Sequence, residues 1–212
     1  MKALTNFKLT CLASLTALAG SANAAVIFDN FGPGDTFSVG GRVVQGPGVG
    51  TIGDVNQASS FTVGPANHLL TSVSLGISVM NPPQDGPGPI DVVIAADAGG
   101  VPGASLRTLS TNVGAVGDQV VTLPDDGTLE LDANTTYWVI MDGEGDFNGS
   151  WRFNTTGDIG LTAGQTEPHP WNPRAPEERY ALRVEGDVAV PEPTAGILAL
   201  TVSAGCLTRR RR

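Results

Sequence analysis

Apolar and small polar side chains alternate between residues 70 and 79. Val73, Leu75, Ile77 and Val79 fall on one side, Ser72, Ser74, Gly76 and Ser78 on the other. A period of two places the first set on the core face of a β-strand and the serines toward solvent. Ten more short segments are expected as strands: 26–31, 41–45, 59–63, 90–96, 106–112, 119–123, 128–131, 136–141, 150–154 and 179–185. Turn-forming clusters separate them, among them Gly32-Pro33-Gly34, Gly46-Pro47-Gly48, Gly86-Pro87-Gly88-Pro89, Asp125-Asp126-Gly127 and Asp142-Gly143. In such clusters proline fixes φ and glycine admits positive values of it.

No long 3.6-residue period precedes the last twenty residues, so the body of the chain is expected to lack helices. Short strands at this spacing predict an all-β fold, two packed antiparallel sheets in a jelly-roll-like β-sandwich. The segment 136–141 is rich in β-branched and aromatic residues and should be buried on both faces, with Tyr137 and Trp138 pointing opposite ways. Residues 157–176 show no pattern and are expected to form a long irregular loop.

The two ends have a different character. Lys2 and Lys8 precede or flank an uncharged apolar stretch over 9–20, and Ala22-Asn23-Ala24 offers small residues at the positions a signal peptidase requires. This is the layout of a secretory signal, with the mature chain beginning at Ala25 and export through the Sec machinery. The apolar run is too short to span a bilayer, which takes roughly 20 residues. At the other end Val190-Pro191-Glu192-Pro193 leads into an uncharged segment, 194–208, and then Arg209-Arg210-Arg211-Arg212. Two prolines around one residue forbid a regular helix and keep the motif extended. As a helix, 194–208 reaches only about 22 Å against a hydrocarbon core of about 30 Å. It crosses only if the bilayer thins or the arginines snorkel. Those arginines hold the end in the cytoplasm and leave the preceding domain outside. Three parts are therefore expected: a signal peptide (1–24), one β domain (25–189) and a C-terminal sorting segment (190–212) with a short transmembrane helix.

The overall charge of −9 hides how acidic the middle part is. Both lysines lie in the signal and four arginines in the tail. Arg42, Arg107, Arg152, Arg174, Arg179 and Arg183 remain against 20 of the 21 acids, a surplus of 14 negative charges. Nucleic acid is thereby excluded as a partner, because its phosphates need cationic side chains. Cys11 and Cys206 both lie outside the domain, which therefore has no disulfide, thiolate metal site or cysteine nucleophile.

In its three parts and their order, the C-terminal segment resembles the PEP-CTERM sorting signal of bacteria: Pro191-Glu192-Pro193, a short apolar stretch and a terminal basic cluster. The resemblance implies an exosortase substrate, cut near the motif by a membrane transpeptidase-like enzyme after a transient stay in the inner membrane. It also implies a destination at the cell surface or in the extracellular matrix, with extracellular polysaccharide as its surroundings. A second set of segments is similar to the choice-of-anchor R type of bacterial surface domain: Gln57-Ala-Ser-Ser-Phe-Thr-Val-Gly64, Asp97-Ala-Gly-Gly-Val-Pro-Gly-Ala-Ser-Leu106, Leu131-Asp-Ala-Asn-Thr-Thr-Tyr-Trp-Val139 and Tyr180-Ala-Leu-Arg-Val184. That resemblance implies a β-sandwich and carries no known activity or binding residues. The stretch from Asp142 to Phe147 is more acidic than the pattern.

Catalytic signals are sparse. His68 and His169 lie in expected turns, and no G-x-S-x-G nucleophile elbow occurs. Asp125-Asp126 and Glu177-Glu178 are neighbours in turns, where solvated carboxylates are common. A glycan-acting enzyme would need two acids about 5 to 9.5 Å apart in a cleft. Two binding possibilities are more specific. In Asp142-Gly-Glu144-Gly-Asp146, acids at alternate positions separated by glycines could wrap oxygens around a hard cation such as Ca²⁺. The EF-hand glycine and terminal glutamate are replaced there by Phe147 and Phe153. Trp151 and Trp171 could stack on sugar rings, or pack in the core and over one end of the sandwich. The expected function is that of a non-enzymatic exported surface or matrix protein. A carbohydrate-binding module, a glycan-acting enzyme and a calcium-stabilised adhesin are the alternatives.

Overall fold

The computed structural model describes residues 24–49, 53–80 and 86–189. The signal peptide, the Pro191-Glu192-Pro193 motif and the tail with Arg209–Arg212 lie outside the described residues. Among the described residues there is no helix, and hence none long and apolar enough to cross a membrane.

Among the described residues fifteen strands follow one another. They are β1 (Ala25–Asp29), β2 (Gly41–Gln45), β3 (Val55–Thr62), β4 (His68–Val79), β5 (Gly88–Asp97), β6 (Pro102–Val113), β7 (Gly117–Pro124) and β8 (Glu130–Leu131). There follow β9 (Thr136–Gly143), β10 (Asn148–Arg152), β11 (Ile159–Gly160), β12 (Thr162–Thr166), β13 (Asn172–Pro173), β14 (Glu177–Glu178) and β15 (Leu182–Val188). Pairings between strands are antiparallel throughout. The all-β class is as the alternation indicates. The two layers, however, are joined: one hydrogen-bonded path runs β1-β15-β4-β10-β2-β3-β9-β5-β6 and curls over itself. Gln45 paired with Val55 is the hinge between its halves.

The inner faces of the halves meet in one apolar core. β4 contributes Val73, Leu75, Ile77 and Val79, as its period of two requires. β5 contributes Ile90, Val92 and Ile94, β9 Tyr137, Val139 and Met141, and β15 Leu182 and Val184. A smaller cluster (Ala58, Ala95, Trp138, Ile140 and Ala163) lies on the outer face of the β12-β3-β9-β5 layer, with Trp171 laid against it. Tyr137 and Trp138 thus do point opposite ways, and both are buried.

Two expectations are overturned. The serine face of β4 is not simply a solvent face. Ser74 is buried with its hydroxyl 2.8 Å from that of Thr122, and Gly76 is covered by Phe37 and Ala181. The cause is that β4 is central, bordered by β15 and β10 on one edge and by β7 and β8 on the other. Nor is 157–176 an irregular loop. Its polar stretch Thr162–Thr166 is β12, which adds five residues in register to the edge of β3, from Thr162 opposite Ser59 to Thr166 opposite Val55. An exposed edge of hydrogen-bonding groups recruits such a segment whatever its hydrophobic pattern.

Close approach of backbones fixes Gly149, at the crossing of β10 and β4. A Cβ there would lie 2.6 Å from the Ser78 carbonyl oxygen and 2.8 Å from Phe147 Cζ. Gly149→Ala is therefore expected to destabilise by about 1–3 kcal/mol through overpacking. Gly64→Ala, with nothing within 4 Å of the new methyl, should be close to neutral. The midpoints of urea unfolding compare the two; equal midpoints would contradict the packing described.

Candidate functional site

Strand direction sorts the loops into two poles. At one pole β9 leaves the sheet and turns through 144–147 into β10, while 46–49, 53–54, 86–88, 114–116 and 167–170 end nearby. Cross-links between these loops include Gly46 N–H to the Phe147 carbonyl (2.9 Å), Glu144 N–H to the Pro89 carbonyl (3.0 Å) and Glu167 N–H to the Asp54 carbonyl (2.9 Å).

Acids collect on the outer face at this pole. Asp142 on β9 stands opposite Asp91 on β5. On its other flank is Asn56, 2 % exposed at the start of β3, one step beyond the Gln57–Met141 pair. With its amide nitrogen turned toward the acids, Asn56 donates to Asp142 Oδ1 (2.7 Å) and to Asp54 Oδ1 (3.1 Å). Burial, and then the charges of Asp54, Glu144, Glu167 and Asp91, push the Asp142 carboxyl up to about 7. Asp54 is also raised, by burial first and then by Glu167 and Glu144.

The cluster keeps its negative charge because the arginines are engaged elsewhere. Arg42 and Arg174 pair with Glu177, Arg107 with Asp125 and Asp126, and Arg152 with Asp118. Arg179 pairs with Asp158, and Arg183 with Asp29 and Asp35. Every arginine between Ala25 and Ala189 is thereby accounted for.

The candidate cation ligands are divided by the fold. Asp142 and Glu144 both contribute to the cluster, whereas the Asp146 carboxylate lies against Gly48 on the neighbouring loop. Among the described residues no three aspartate, glutamate, histidine or cysteine side chains are placed to hold a metal ion. The arrangement can exchange a proton at Asp142 near neutral pH and can attract cations diffusely. Its members come from four strands and loops far apart in sequence. The one signal that could have grouped them is cross-strand register.

The two candidate stacking rings are also separated. Trp151 is 0 % exposed, stacked on Tyr180 with centroids 4.8 Å apart, and its indole N–H donates to the Ala181 carbonyl at 2.9 Å. Tyr180 stacks in turn on Phe153 at 5.5 Å. Its phenol meets Arg174 Nη1 at 2.6 Å and Gln57 Oε1 at 3.0 Å, and burial pushes its pKa up to about 12. Trp151 therefore has no ring face open to a sugar. Its position on β10, between β4 and β2, turns the ring into the core. Trp171 is half-buried on the outer cluster, beside an open groove of Gln57, Gly164, Gln165, His169 and Arg174. His68 is buried at the start of β4, and His169 lies in the β12–β13 turn, its N–H bonded to the Thr166 carbonyl.

The chain matches no protein-family model and no curated protein.

Proposed function

We propose that the protein is an exported, non-enzymatic component of the cell surface or extracellular matrix. Its C-terminal segment is a sorting tail of the PEP-CTERM kind, trimmed near Pro191-Glu192-Pro193 by an exosortase-type enzyme. The feature that carries this reading is the sequence of the tail: Pro191-Glu192-Pro193, an uncharged stretch over 194–208 and Arg209–Arg212. β1 begins at Ala25, immediately after Ala22-Asn23-Ala24, and β15 ends at Val188, three residues before Pro191. A hydrophobic stretch of fifteen residues closed by four arginines is a poor permanent anchor. An acidic, disulfide-free sandwich-like domain suits a soluble, self-repelling surface component, and extracellular polysaccharide is the expected setting.

Fractionation tests the reading. In a pulse-chase the full-length chain should pass through the membrane fraction before reaching the surface or medium. A chain ending at Ala189 should be exported without ever appearing in that fraction. Full-length protein recovered from the cytosol would contradict the proposal.

A further inference from the structure

Both ends of the domain leave from the same pole, opposite the acidic cluster. β1 and β15 pair antiparallel, with Ala25 opposite Gly186 and Val26 opposite Glu185. β15 ends against the start of β4: Val188 pairs with His68, and Ala189 N–H donates to the Asn67 carbonyl at 2.9 Å. The same pole gathers the turn at 64–67, the β5–β6 hairpin at 97–101 and the loops at 125–135. Val63 N–H bonds the Thr135 carbonyl there, and Asn134 N–H bonds that of Gly64. At the far end of β4, Val79 pairs with Gly117 and Gly149, at the pole where β9 ends in Asp142 and Gly143 and the next loop carries Glu144.

Lengths then decide the orientation. Four residues, hence five residue steps, separate Ala189 from Thr194, where the apolar segment begins, and four separate Ala25 from Gly20, where the signal's apolar run ends. Fully extended, either stretch covers at most about 17 Å. β4 has twelve residues and spans roughly 36 Å from pole to pole. Once the signal has been cut before Ala25, the C-terminal stretch is the tether, and at that length it lets the domain tilt but not invert.

We propose that, until its tail is removed, the domain stands directly on the outer face of the inner membrane without a stalk. The pole where β1 and β15 end faces the lipid headgroups, and the pole with Asp54, Asp91, Asp142, Glu144 and Glu167 points away. This inference rests on the tail being a membrane segment, as proposed above. The membrane-facing pole carries Asp97, Asp125, Asp126, Glu130, Asp132 and Asp187 against one arginine, Arg107, which pairs with Asp125 and Asp126 and leaves the pole net negative. Anionic headgroups repel such a surface, so the tether alone holds the domain down and a cut at the motif frees it.

The test uses the exported chain from Ala25 to Arg212, with Cys206 replaced by serine and a single dye-labelled cysteine. The cysteine is placed at the exposed Ala98 (A98C) on one pole or the exposed Ala115 (A115C) on the other. Each protein is reconstituted into phosphatidylethanolamine–phosphatidylglycerol vesicles whose headgroups carry a nitroxide quencher. Quenching several-fold stronger at position 98 than at 115, in protein that floats with the vesicles, is the expected result. Equal or reversed quenching in floating protein would overturn the orientation and leave the anchored tail intact. Protein that does not float at all would overturn the tail reading and this inference with it. Matching circular-dichroism melts confirm that both labelled chains are folded.

Discussion

Replacing Trp151 with alanine is expected to lower the melting temperature of the domain by roughly 10 °C, the largest effect of any single substitution considered. The ring is fully buried, stacked on Tyr180 and hydrogen-bonded to the Ala181 carbonyl. Removing a buried tryptophan costs about 3–5 kcal/mol, and in a domain of this size each kcal/mol moves the transition by about 2–4 °C. The loss also removes one of the two donors to the Ala181 carbonyl, leaving the Gly76 N–H, and takes from Tyr180 one of its two stacking partners. Trp151→Phe keeps most of the packing and should recover more than half of the loss. Trp171→Ala, at the half-buried rim of the outer cluster, should cost no more than about 1–2 kcal/mol. Thermal melts of the three variants decide the matter. A mild Trp151→Ala would mean that the ring is not the core element described.

The second large effect is a dependence on pH. Asp142 has an ordinary carboxyl pKa near 4 when unfolded and about 7 in the fold. The native state therefore holds a proton that the unfolded chain has lost, and stability falls as pH rises from about 4 to about 7. Fully expressed, the difference would amount to about 4 kcal/mol. Partial exposure and solvent screening reduce it to about 1–2 kcal/mol. Asp142→Asn retains an acceptor for the Asn56 amide and removes the charge. The variant is expected to match the parent near pH 3.5, below the unfolded pKa, and to melt about 2–8 °C higher at pH 8. Equal melting temperatures of parent and variant at pH 8 would show that the crowding of Asp54, Asp91, Glu144 and Glu167 around this carboxyl carries no cost.

Much of the fold could be read from the chain. The Val73–Val79 alternation identifies both one of the two twelve-residue strands and its core face. The β-branched and aromatic run around Tyr137 and Trp138 marks a strand buried on both sides. What escaped the reading was decided by partners rather than by local pattern. Ser74 is polar yet buried because β7 supplies Thr122 beside it. Thr162–Thr166 is a strand because the edge of β3 was free to take it. The acidic site was half legible. Asp142 and Glu144 stand out as sequence neighbours, but Asp54, Asp91 and Glu167 join them only through register. Asp146, which spacing groups with them, turns toward Gly48 instead. Trp151 shows the same limit: its place at a strand was visible, but the layer it faces was set by β4 and β2.

The central claim, export followed by trimming of the tail, is tested most directly by the intact mass of the protein recovered from the cell surface or medium. The expected species begins at Ala25 and lacks Arg209–Arg212, having lost its apolar segment near Pro191-Glu192-Pro193. A surface species whose mass still includes the four terminal arginines would contradict it.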